Sequence, residues 1–339
     1  MRCTVRACPI GVLFDDNHNQ SFRGVVMLSG EKILVTGASG LVGLQVARFL
    51  AAENEVWGLA RFANAEQRAG AINSTAGSRD DVDNTGIHAV PCDLESGDFS
   101  QVPDDFTYVL HLAHTRRGLN DFVGAVQVNA VGAGHLLHHC RKAKGALVVS
   151  STAVYSPPAD VFQPAKEDGD IGRAFAPWAP TSPVSKVSLE AVARFCAEAF
   201  NLPVALMRLN TVYGPMGGLP IMDMDTVAGG GVVNTFADPY PHTPIHIDDM
   251  CHQLEALLEA ASTPANIINW CGDDVVTQRQ WCEYAGTLSG QPVNLAVHPI
   301  PGAPDGNVSD NQKRLSLTGP ARHRFKEAFE AIYRERRGG

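Results

Sequence analysis

Short apolar runs recur along the first two thirds of the chain, and longer segments with helical periodicity separate several of them. The runs have the length of buried strands, and they lie at 33–35, 55–59, 87–91, 108–112, 146–151 and 204–209. Segments 123–142 and 184–200 instead have the apolar spacing of helices. This alternation predicts an α/β fold with a doubly wound parallel sheet that is covered by helices on both faces.

The pattern changes after Pro215, where glycines and prolines interrupt the periodicity. Helical spacing returns at 248–261 and 320–337. We predict three parts: an N-terminal extension at 1–30, a nucleotide-binding domain at 31–215, and a mainly substrate-binding lobe at 216–339 with segments that return to the main sheet. The extension lacks the apolar core of a secretory signal, and a start at Met27 would leave the first strand intact.

A glycine-spaced turn follows the first apolar run, in the segment Thr36-Gly-Ala-Ser-Gly-Leu-Val-Gly43. Gly37 suits a tight turn, Gly40 lets the backbone approach a pyrophosphate, and Gly43 lets the following helix pack closely. The N-terminus of that helix would face the negative charge of the ligand. The segment therefore predicts a Rossmann unit that binds a dinucleotide through Gly37, Ser39, Gly40, Leu41, Val42 and Gly43.

Composition narrows the class of protein. The 339 residues are 45% hydrophobic and carry a formal charge of -9, which disfavours non-specific binding to nucleic acid. The apolar runs fall far short of the ~20 residues that a membrane span needs. The eight cysteines are scattered without a metal-binding spacing, and His138 and His139 point in different directions on a helix. We expect a reduced cytoplasmic protein that binds a small molecule, without metal, nucleic acid or membrane.

Further motifs resemble the extended short-chain dehydrogenases/reductases, the NAD-dependent epimerase/dehydratase family. In family order they are Thr36 to Gly43, Cys92-Asp-Leu94, His111-Leu-Ala-His114, Asn129, Ser150-Ser-Thr-Ala-Val-Tyr155, Ser185-Lys186, Arg208 to Pro215, and Pro244-Ile-His-Ile-Asp-Asp249. They cover about residues 31 to 290. The resemblance implies that helices 123–142 and 184–200 form a homodimer interface.

The same resemblance implies roles for individual residues. Asp93 and Leu94 would border the adenine, and Leu112 and Ala113 would line the cofactor. Lys186 would hold the nicotinamide ribose, and Asn129 would support the active site. Ser150 is predicted to contact the cofactor from the end of its strand.

The end of the second strand bears on the choice of cofactor. NAD-binding Rossmann proteins usually place an acidic residue there, whereas an arginine can pair with the 2′-phosphate of NADP. This chain has Ala60 at that place, followed by Arg61. The sequence therefore favours NADP, with NAD as the alternative. The simpler interpretation of Arg61 is a solvated loop residue that does not contact the cofactor.

The catalytic segment departs from the family pattern. The family places a tyrosine four residues before its lysine, so that the ammonium lowers the pKa of the phenol. Ser182 occupies that position before Lys186, and an alkyl hydroxyl is a much weaker acid than a phenol. Ser182 with Pro183 also fits a helix start, so we expect capping more than catalysis from Ser182.

Other groups could supply the missing function. Ser151 matches the family residue that hydrogen-bonds the reacting oxygen, and Thr152 is the neighbouring alternative. His114 follows the fourth strand and could exchange a proton near neutral pH, although a packing role is the simpler expectation. Arg116 and Arg117 could hold an anion or remain solvated.

The segment before His246 lacks an arginine that could clamp a nucleotide diphosphate. An apolar pocket is an alternative for this lobe, built from Trp178, Phe175, Met216, Met222 and Met224. We expect Asp248 and Asp249 to open the next helix.

Three functions remain open from the sequence. The first is an NADP-dependent oxidoreductase that acts on a carbonyl or alcohol of a small organic substrate. The second is a sugar-nucleotide epimerase or dehydratase that retains NAD. The third is a cofactor-binding protein without catalysis, which the absence of the tyrosine motivates.

Overall fold

The computed structural model describes residues 28–62, 86–172, 176 and 179–338. The predicted N-terminal extension falls almost wholly outside these residues, as do Phe175 and Trp178 of the predicted apolar pocket.

A seven-stranded parallel sheet forms the centre of the protein, in the strand order β12-β6-β5-β4-β1-β2-β3. Its strands are β1 (Lys32–Thr36), β2 (Glu55–Ala60), β3 (His88–Pro91), β4 (Tyr108–His111), β5 (Gly145–Ser151), β6 (Val204–Leu209) and β12 (Asn266–Trp270). The order reverses beside β1, so a crevice opens at the carboxyl ends of β1 and β4. The predicted α/β fold with a doubly wound sheet is confirmed.

Both faces of the sheet are buried, which explains why its strands are apolar at successive positions. In β1, Ile33 and Val35 point into one hydrophobic cluster and Leu34 into the other. The first cluster includes helix α1 (Leu41–Leu50) and helix α6 (Ile247–Glu259). The second includes helix α3 (Gly132–His139) and helix α4 (Thr181–Phe200).

The sequence pattern of 123–142 indicates one helix, but the structure divides this region. Helix α2 (Phe122–Val126) leads into a π-helical turn at Gln127–Val131, and α3 follows directly. Asn129 is buried within the π turn. Such turns often occur at functional sites because the widened backbone changes where one side chain points.

The C-terminal part builds a second core and also rejoins the sheet. Helices α5 (Leu219–Ala228), α7 (Gln278–Ser289) and α9 (Phe325–Arg337) surround a third hydrophobic cluster. Strand β12 pairs in parallel with β6, so the chain returns to the main sheet after the first part of the lobe.

Short strands and one more helix complete this part. They are β7 (Val212–Gly214), β8 (Gly217–Gly218), β9 (Val232–Thr235), β10 (Pro241–His242), β11 (Ile245–His246), β13 (Val276–Thr277), β14 (Asn294–Val297) and α8 (Gln312–Thr318). Across the described ranges, we find no helix with the length and apolar character to cross a membrane.

Candidate functional site

The glycine turn after β1 has no room for side chains at two of its positions. Gly37 has a φ of 73°, and a Cβ there would lie 3.0 Å from the backbone of Ala113. A Cβ at Gly43 would lie 2.1 Å from the Gly37 carbonyl oxygen, which real structures do not tolerate. Gly43 therefore allows α1 to pack against the turn itself, rather than only against the strand.

The turn leaves the start of α1 open. Gly40 is the N-cap, its N–H donates to the Gly37 carbonyl at 2.8 Å, and the first helical bond runs from Leu44 N to Gly40 O. The N–H groups of Leu41, Val42 and Gly43 belong to the first turn of the helix, where backbone donors lack helical partners. Together with the helix dipole, they can bind an anion.

The other predicted cofactor residues border the same crevice or the strands beside it. Arg61 directly follows β2 and is exposed. Leu94 is buried, and its carbonyl lies so close to Gly132 that a Cβ there would be 2.4 Å away. The Asp93 carboxylate accepts the Glu95 N–H at 3.1 Å.

Thr36 ties the ends of β1 and β4 together. Its Oγ1 lies 2.9 Å from Nδ1 of His111 and accepts the Ala113 N–H at 3.2 Å. Burial, followed by the charge of Lys186, lowers the pKa of His111 to about 3, so this imidazole is neutral. The pair fixes the loop that starts with Leu112 and Ala113, and the sequence analysis did not identify it.

Asn129 links that loop to helix α4. Its side chain accepts the Thr115 N–H at 2.8 Å and donates to the Thr115 carbonyl at 2.9 Å. It also donates to Ser185 Oγ at 3.2 Å. The prediction that Asn129 supports the site therefore has a specific geometry, a clamp between the loop after β4 and α4.

Lys186 is buried one turn after Ser182 on α4. Its Nζ donates to the Val149 carbonyl at 2.6 Å. Burial lowers the pKa of Lys186 to about 8, although the Glu190 carboxylate opposes this shift. The ammonium is therefore held against β5, at the end of the strand that carries Ser150 and Ser151.

Ser182 has a side-chain partner, and it is not the N-cap. Helix α4 begins at Thr181 with Pro180 as N-cap, so the expected capping by Ser182 is wrong. Its Oγ instead lies 2.8 Å from Nε2 of His114. The His114 side chain is exposed, yet desolvation by the surrounding protein and the charges of Lys186 and Arg116 hold its pKa well below the usual value.

Neighbouring serines have different surroundings. Ser150 is buried and donates to Glu190 at 2.7 Å, and Glu190 also binds Arg208 through two bonds of 2.8 and 3.0 Å. The Ser150 hydroxyl thus belongs to a buried ionic network. Ser151 Oγ accepts the Ala153 N–H at 3.1 Å, and Thr152 Oγ1 donates to the Leu209 carbonyl at 3.3 Å.

A cavity of about 1110 Å³ extends from this edge of the sheet into the C-terminal lobe. Its wall includes Leu41 at the start of α1, Ser151 and Thr152 after β5, and Arg336 from α9. The charged lining residues comprise three cations and three carboxylates: Arg116, Lys166, Arg336, Asp168, Asp170 and Asp225. Arg336 donates to Asp225 at 2.7 Å and to the Pro215 carbonyl at 2.9 Å.

The structure changes several predictions about which residues line the cavity. Met216 and Met222 line the cavity, but Met224 is buried in the third hydrophobic cluster and does not belong to the predicted pocket. Arg117 forms ion pairs with Glu95 and Asp121, whereas Arg116 lines the cavity. Arg336 was not found from the sequence, because only tertiary packing brings α9 to the cavity.

The described residues include one group with three possible metal-ligand atoms, within 4.8 Å of one another: His246, Asp249 and His323. His246 is the N-cap of α6, and its Nδ1 accepts the Asp248 N–H at 3.2 Å. Asp249 accepts the Arg322 N–H at 2.7 Å, and the two imidazole rings lie 4.2 Å apart at an interplanar angle of 30°. Because backbone N–H groups already occupy His246 Nδ1 and one Asp249 oxygen, we assign no metal to this group.

The open helix N-terminus at a reversal of strand order and the adjoining cavity define a Rossmann-type dinucleotide-binding enzyme. The sequence model of the NAD dependent epimerase/dehydratase family matches residues 33–229, and the chain belongs to this family. The family resemblance seen in the sequence motifs is thereby confirmed, and the protein is an enzyme of the NAD(P)-dependent oxidoreductase or epimerase type. Comparison with curated protein sequences finds none that matches.

Solved structures with the same fold include nucleotide-sugar epimerases. UDP-glucuronic acid 4-epimerase from Bacillus cereus, in complex with UDP-glucuronic acid and NAD, is 23% identical with a TM-score of 0.73, over 89% of this chain and 98% of that chain. UDP-glucose 4-epimerase from Thermotoga maritima, with UDP-glucose, is 19% identical with a TM-score of 0.73, over 91% and 99%.

A third similar structure is also a nucleotide-sugar epimerase. UDP-N-acetylglucosamine 4-epimerase from Methanobrevibacter ruminantium, in complex with UDP-N-acetylmuramic acid, is 18% identical with a TM-score of 0.75, over 92% of this chain and 100% of that chain. At these identities the three structures establish the shared fold, and this chain spans nearly their whole length.

Proposed function

We propose that the protein retains NAD and uses it to oxidise and re-reduce a carbinol carbon of a nucleotide sugar, as an epimerase or dehydratase does. The observation that carries this proposal is the cavity, which joins the N-terminus of α1 to Ser151 and Thr152 and continues into the C-terminal lobe. A second ligand in this cavity would therefore lie beside a dinucleotide bound at the glycine turn.

The residues around the turn fit a dinucleotide. Glycine at positions 37 and 43 lets the turn pack closely against Ala113 and α1, and the free N–H groups in the first turn of α1 would bind the pyrophosphate. Ser39 and Gly40 would also border the phosphates, Leu112 and Ala113 would line the cofactor, and Lys186 would hold the nicotinamide ribose. NAD, when bound, supplies a reversible acceptor for a hydride.

Ser151 is suited to orient the reacting oxygen of the substrate. Its Oγ accepts the Ala153 N–H, so its own hydroxyl hydrogen remains available for donation. Ser151 also lines the cavity, as Thr152 does. We therefore assign Ser151 the role of hydrogen-bonding the carbinol or carbonyl oxygen, with Thr152 as a neighbour that shapes the site.

The size of the cavity supports a nucleotide sugar rather than a very small substrate. Its volume of about 1110 Å³ exceeds the ~300–1,000 Å³ that ligand pockets usually have. Arg116, Lys166 and Arg336 place cations on its wall, of which Arg336 is paired with Asp225, so a diphosphate would find positive charge here although the segment before His246 lacks an arginine. The related epimerases of the same fold bind UDP-sugars, which agrees with this assignment.

One observation favours a dissociating NADP-dependent oxidoreductase instead. Arg61 is exposed directly after β2, where it could pair with a 2′-phosphate. If NADP is the cofactor, Arg61→Ala should lower NADPH affinity about tenfold or more and leave NADH affinity unchanged. Equal effects on both dinucleotides would remove this support.

We also propose a homodimer that forms through α2 and α4. Large apolar side chains are exposed on or beside these helices: Leu119, Phe122, Val123, Val184 and Phe195. Val123 is 84% exposed and Phe195 is 67% exposed, which is unfavourable on a monomer. Light scattering after gel filtration should give twice the chain mass, and Phe195→Asp should halve it. Val275→Asp, at an exposed apolar residue of the lobe, is the matched control.

The first experiment on function is mass spectrometry of the freshly purified full chain, followed by mixing with UDP-glucose or UDP-glucuronic acid. Retained NAD and conversion of either probe to its 4-epimer or to a dehydration product would support the proposal. Empty protein that binds NADPH tightly would favour the dissociating oxidoreductase. Failure to bind either dinucleotide would leave a non-catalytic role and overturn the proposal.

A further inference from the structure

His114 and Ser182 form a hydrogen-bonded pair at the edge of the cavity, although 68 positions separate them in the chain. His114 follows the carboxyl end of β4, and Ser182 lies in the first turn of α4. Their sequence neighbours Arg116 and Pro183 line the cavity. The pair is therefore placed where parallel sheets present groups to ligands.

The Ser182 hydroxyl is available for this contact because it does not cap the helix. Pro180 occupies the N-cap, and the Ser182 Oγ lies 2.8 Å from His114 Nε2. Ser182 is partly buried and His114 is exposed, so the pair is open to a ligand that extends past Arg116 and Pro183 on the cavity wall. A hydroxyl and an imidazole at this distance can exchange a proton directly.

The protein holds the two side chains in register through Asn129. This residue binds both backbone groups of Thr115, the neighbour of His114, and also binds Ser185 on α4. The loop that carries His114 and the helix that carries Ser182 are thus joined by one buried side chain. Such support is what acid–base groups need, because small displacements lower the rate of proton transfer.

We propose that Ser182 and His114 act together as the acid–base pair of the reaction, a proposal that rests on the function proposed above. When the substrate is oxidised, its O–H bond breaks and the proton passes to Ser182 Oγ, while the Ser182 proton passes to His114 Nε2. With NAD bound, the carbinol hydrogen would leave with its bonding electron pair as hydride, for which NAD supplies the acceptor. On re-reduction the imidazolium returns its proton through Ser182 to the substrate oxygen.

The charges around His114 support both directions of transfer. Lys186, Arg116 and His111 act on it electrostatically, and Lys186 is mostly an ammonium at pH 7. Desolvation and these cations keep the pKa of His114 low, so the resting imidazole is neutral and can accept a proton. Once protonated, it lies beside Lys186, and this repulsion favours return of the proton. The Glu190 carboxylate opposes the loss of the lysine charge.

The test uses the full chain loaded with NAD and the variants Ser182→Ala, His114→Gln and their combination. The matched control is Ser188→Ala, because Ser188 is a serine of the same helix that bonds only its own helix at the Val184 carbonyl in the described structure. With UDP-glucose as probe, each single variant should lose about 10²-fold or more in the rate of NADH formation. The double variant should lose little more, because the two residues act as a unit.

A second measurement tests the pair without any substrate. In ¹⁵N-labelled protein as purified, at pH 7.5, His114 Nε2 should have the chemical shift of an unprotonated nitrogen that accepts a hydrogen bond, and Ser182→Ala should move that shift. A protonated Nε2, or a chemical shift that Ser182→Ala leaves unchanged, would overturn the proposal that His114 and Ser182 act as a pair.

Together, the two measurements show whether the acid–base pair or the proposed function is wrong. Full activity in both single variants would overturn the acid–base pair while the proposed function stands. Absence of NAD and of turnover in the unmodified protein would overturn the proposed function, and the imidazole shifts would still decide whether His114 accepts a hydrogen bond from Ser182.

Discussion

Thr36 Oγ1 lies 2.9 Å from His111 Nδ1, and this buried contact joins the carboxyl ends of β1 and β4 directly beneath the predicted cofactor site. The two residues are also partners in the parallel register of the strands. The same oxygen accepts the Ala113 N–H, so one hydroxyl serves both strand ends and the loop that follows.

Replacement of this hydroxyl should therefore lower stability. Thr36→Val keeps the shape of the side chain but leaves His111 Nδ1 and the Ala113 N–H without this partner. We expect a loss of about 1–3 kcal/mol in the free energy of unfolding, measured with urea. Thr36→Ser keeps the hydroxyl and should lose less than Thr36→Val. Equal losses would show that methyl packing, and not the hydrogen bonds, decides the effect.

Breaking the ion pair between Arg208 and Glu190 should lower the free energy of unfolding far more than breaking a surface ion pair. Both side chains are nearly inaccessible, and Ser150 shares the carboxylate. Arg208→Met leaves the Glu190 charge buried without its cation, so we expect a loss of about 3–5 kcal/mol. Lys142→Ala, which breaks an exposed pair with Asp104, should have a much smaller effect, because solvent screens such a pair. Similar losses in the two variants would contradict this interpretation.

Cofactor affinity should depend on pH through Lys186. Burial lowers its pKa to about 8, so the side chain is mostly an ammonium at pH 7 and loses its charge as the pH rises through 8. The NAD dissociation constant, measured by calorimetry, should therefore increase between about pH 7 and pH 9. Lys186→Met should bind NAD weakly with a flat profile over this range. A profile in Lys186→Met that still follows pH would assign the effect to another group.

Gly43→Ala should impair cofactor binding through the backbone. The added Cβ would lie 2.1 Å from the Gly37 carbonyl oxygen, so α1 or the turn must move. We expect a loss of about 1–3 kcal/mol in stability and a large loss of NAD affinity. Gly145→Ala is the matched control, because its Cβ would meet only ordinary contacts at 3.8 Å. Unchanged NAD affinity in Gly43→Ala would show that the turn can relax without disturbing the site.

The sequence predicts the sheet well because its strands are buried on both faces. Each strand therefore has a short apolar run that is visible without knowledge of its neighbours, as in 204–209, which the structure reproduces as β6. The order of strands is not visible in such runs. The structure supplies the order, in which β12 pairs beside β6 after the chain returns from the lobe.

The site is less predictable because it depends on contacts between distant segments. The pairing of His114 with Ser182 requires the loop after β4 to meet the start of α4, and neither segment carries a local signal for the other. The predicted start of α4 was also wrong. Ser182 and Pro183 resemble an N-cap and a first helical position, but the helix begins before both, at Thr181. Arg336 reaches the cavity only because α9 packs against the lobe.

The π turn at Gln127–Val131 changes the direction in which the later side chains of its helical segment point. One additional residue in a helical turn rotates all later side chains by about 100° relative to a continuous α-helix. Removing a single residue there, such as Ala130, would favour a regular helix and turn either Asn129 or α3 away from its present contacts. The alignment of His114 with Ser182 is therefore sensitive to the length of a helix that contains neither residue.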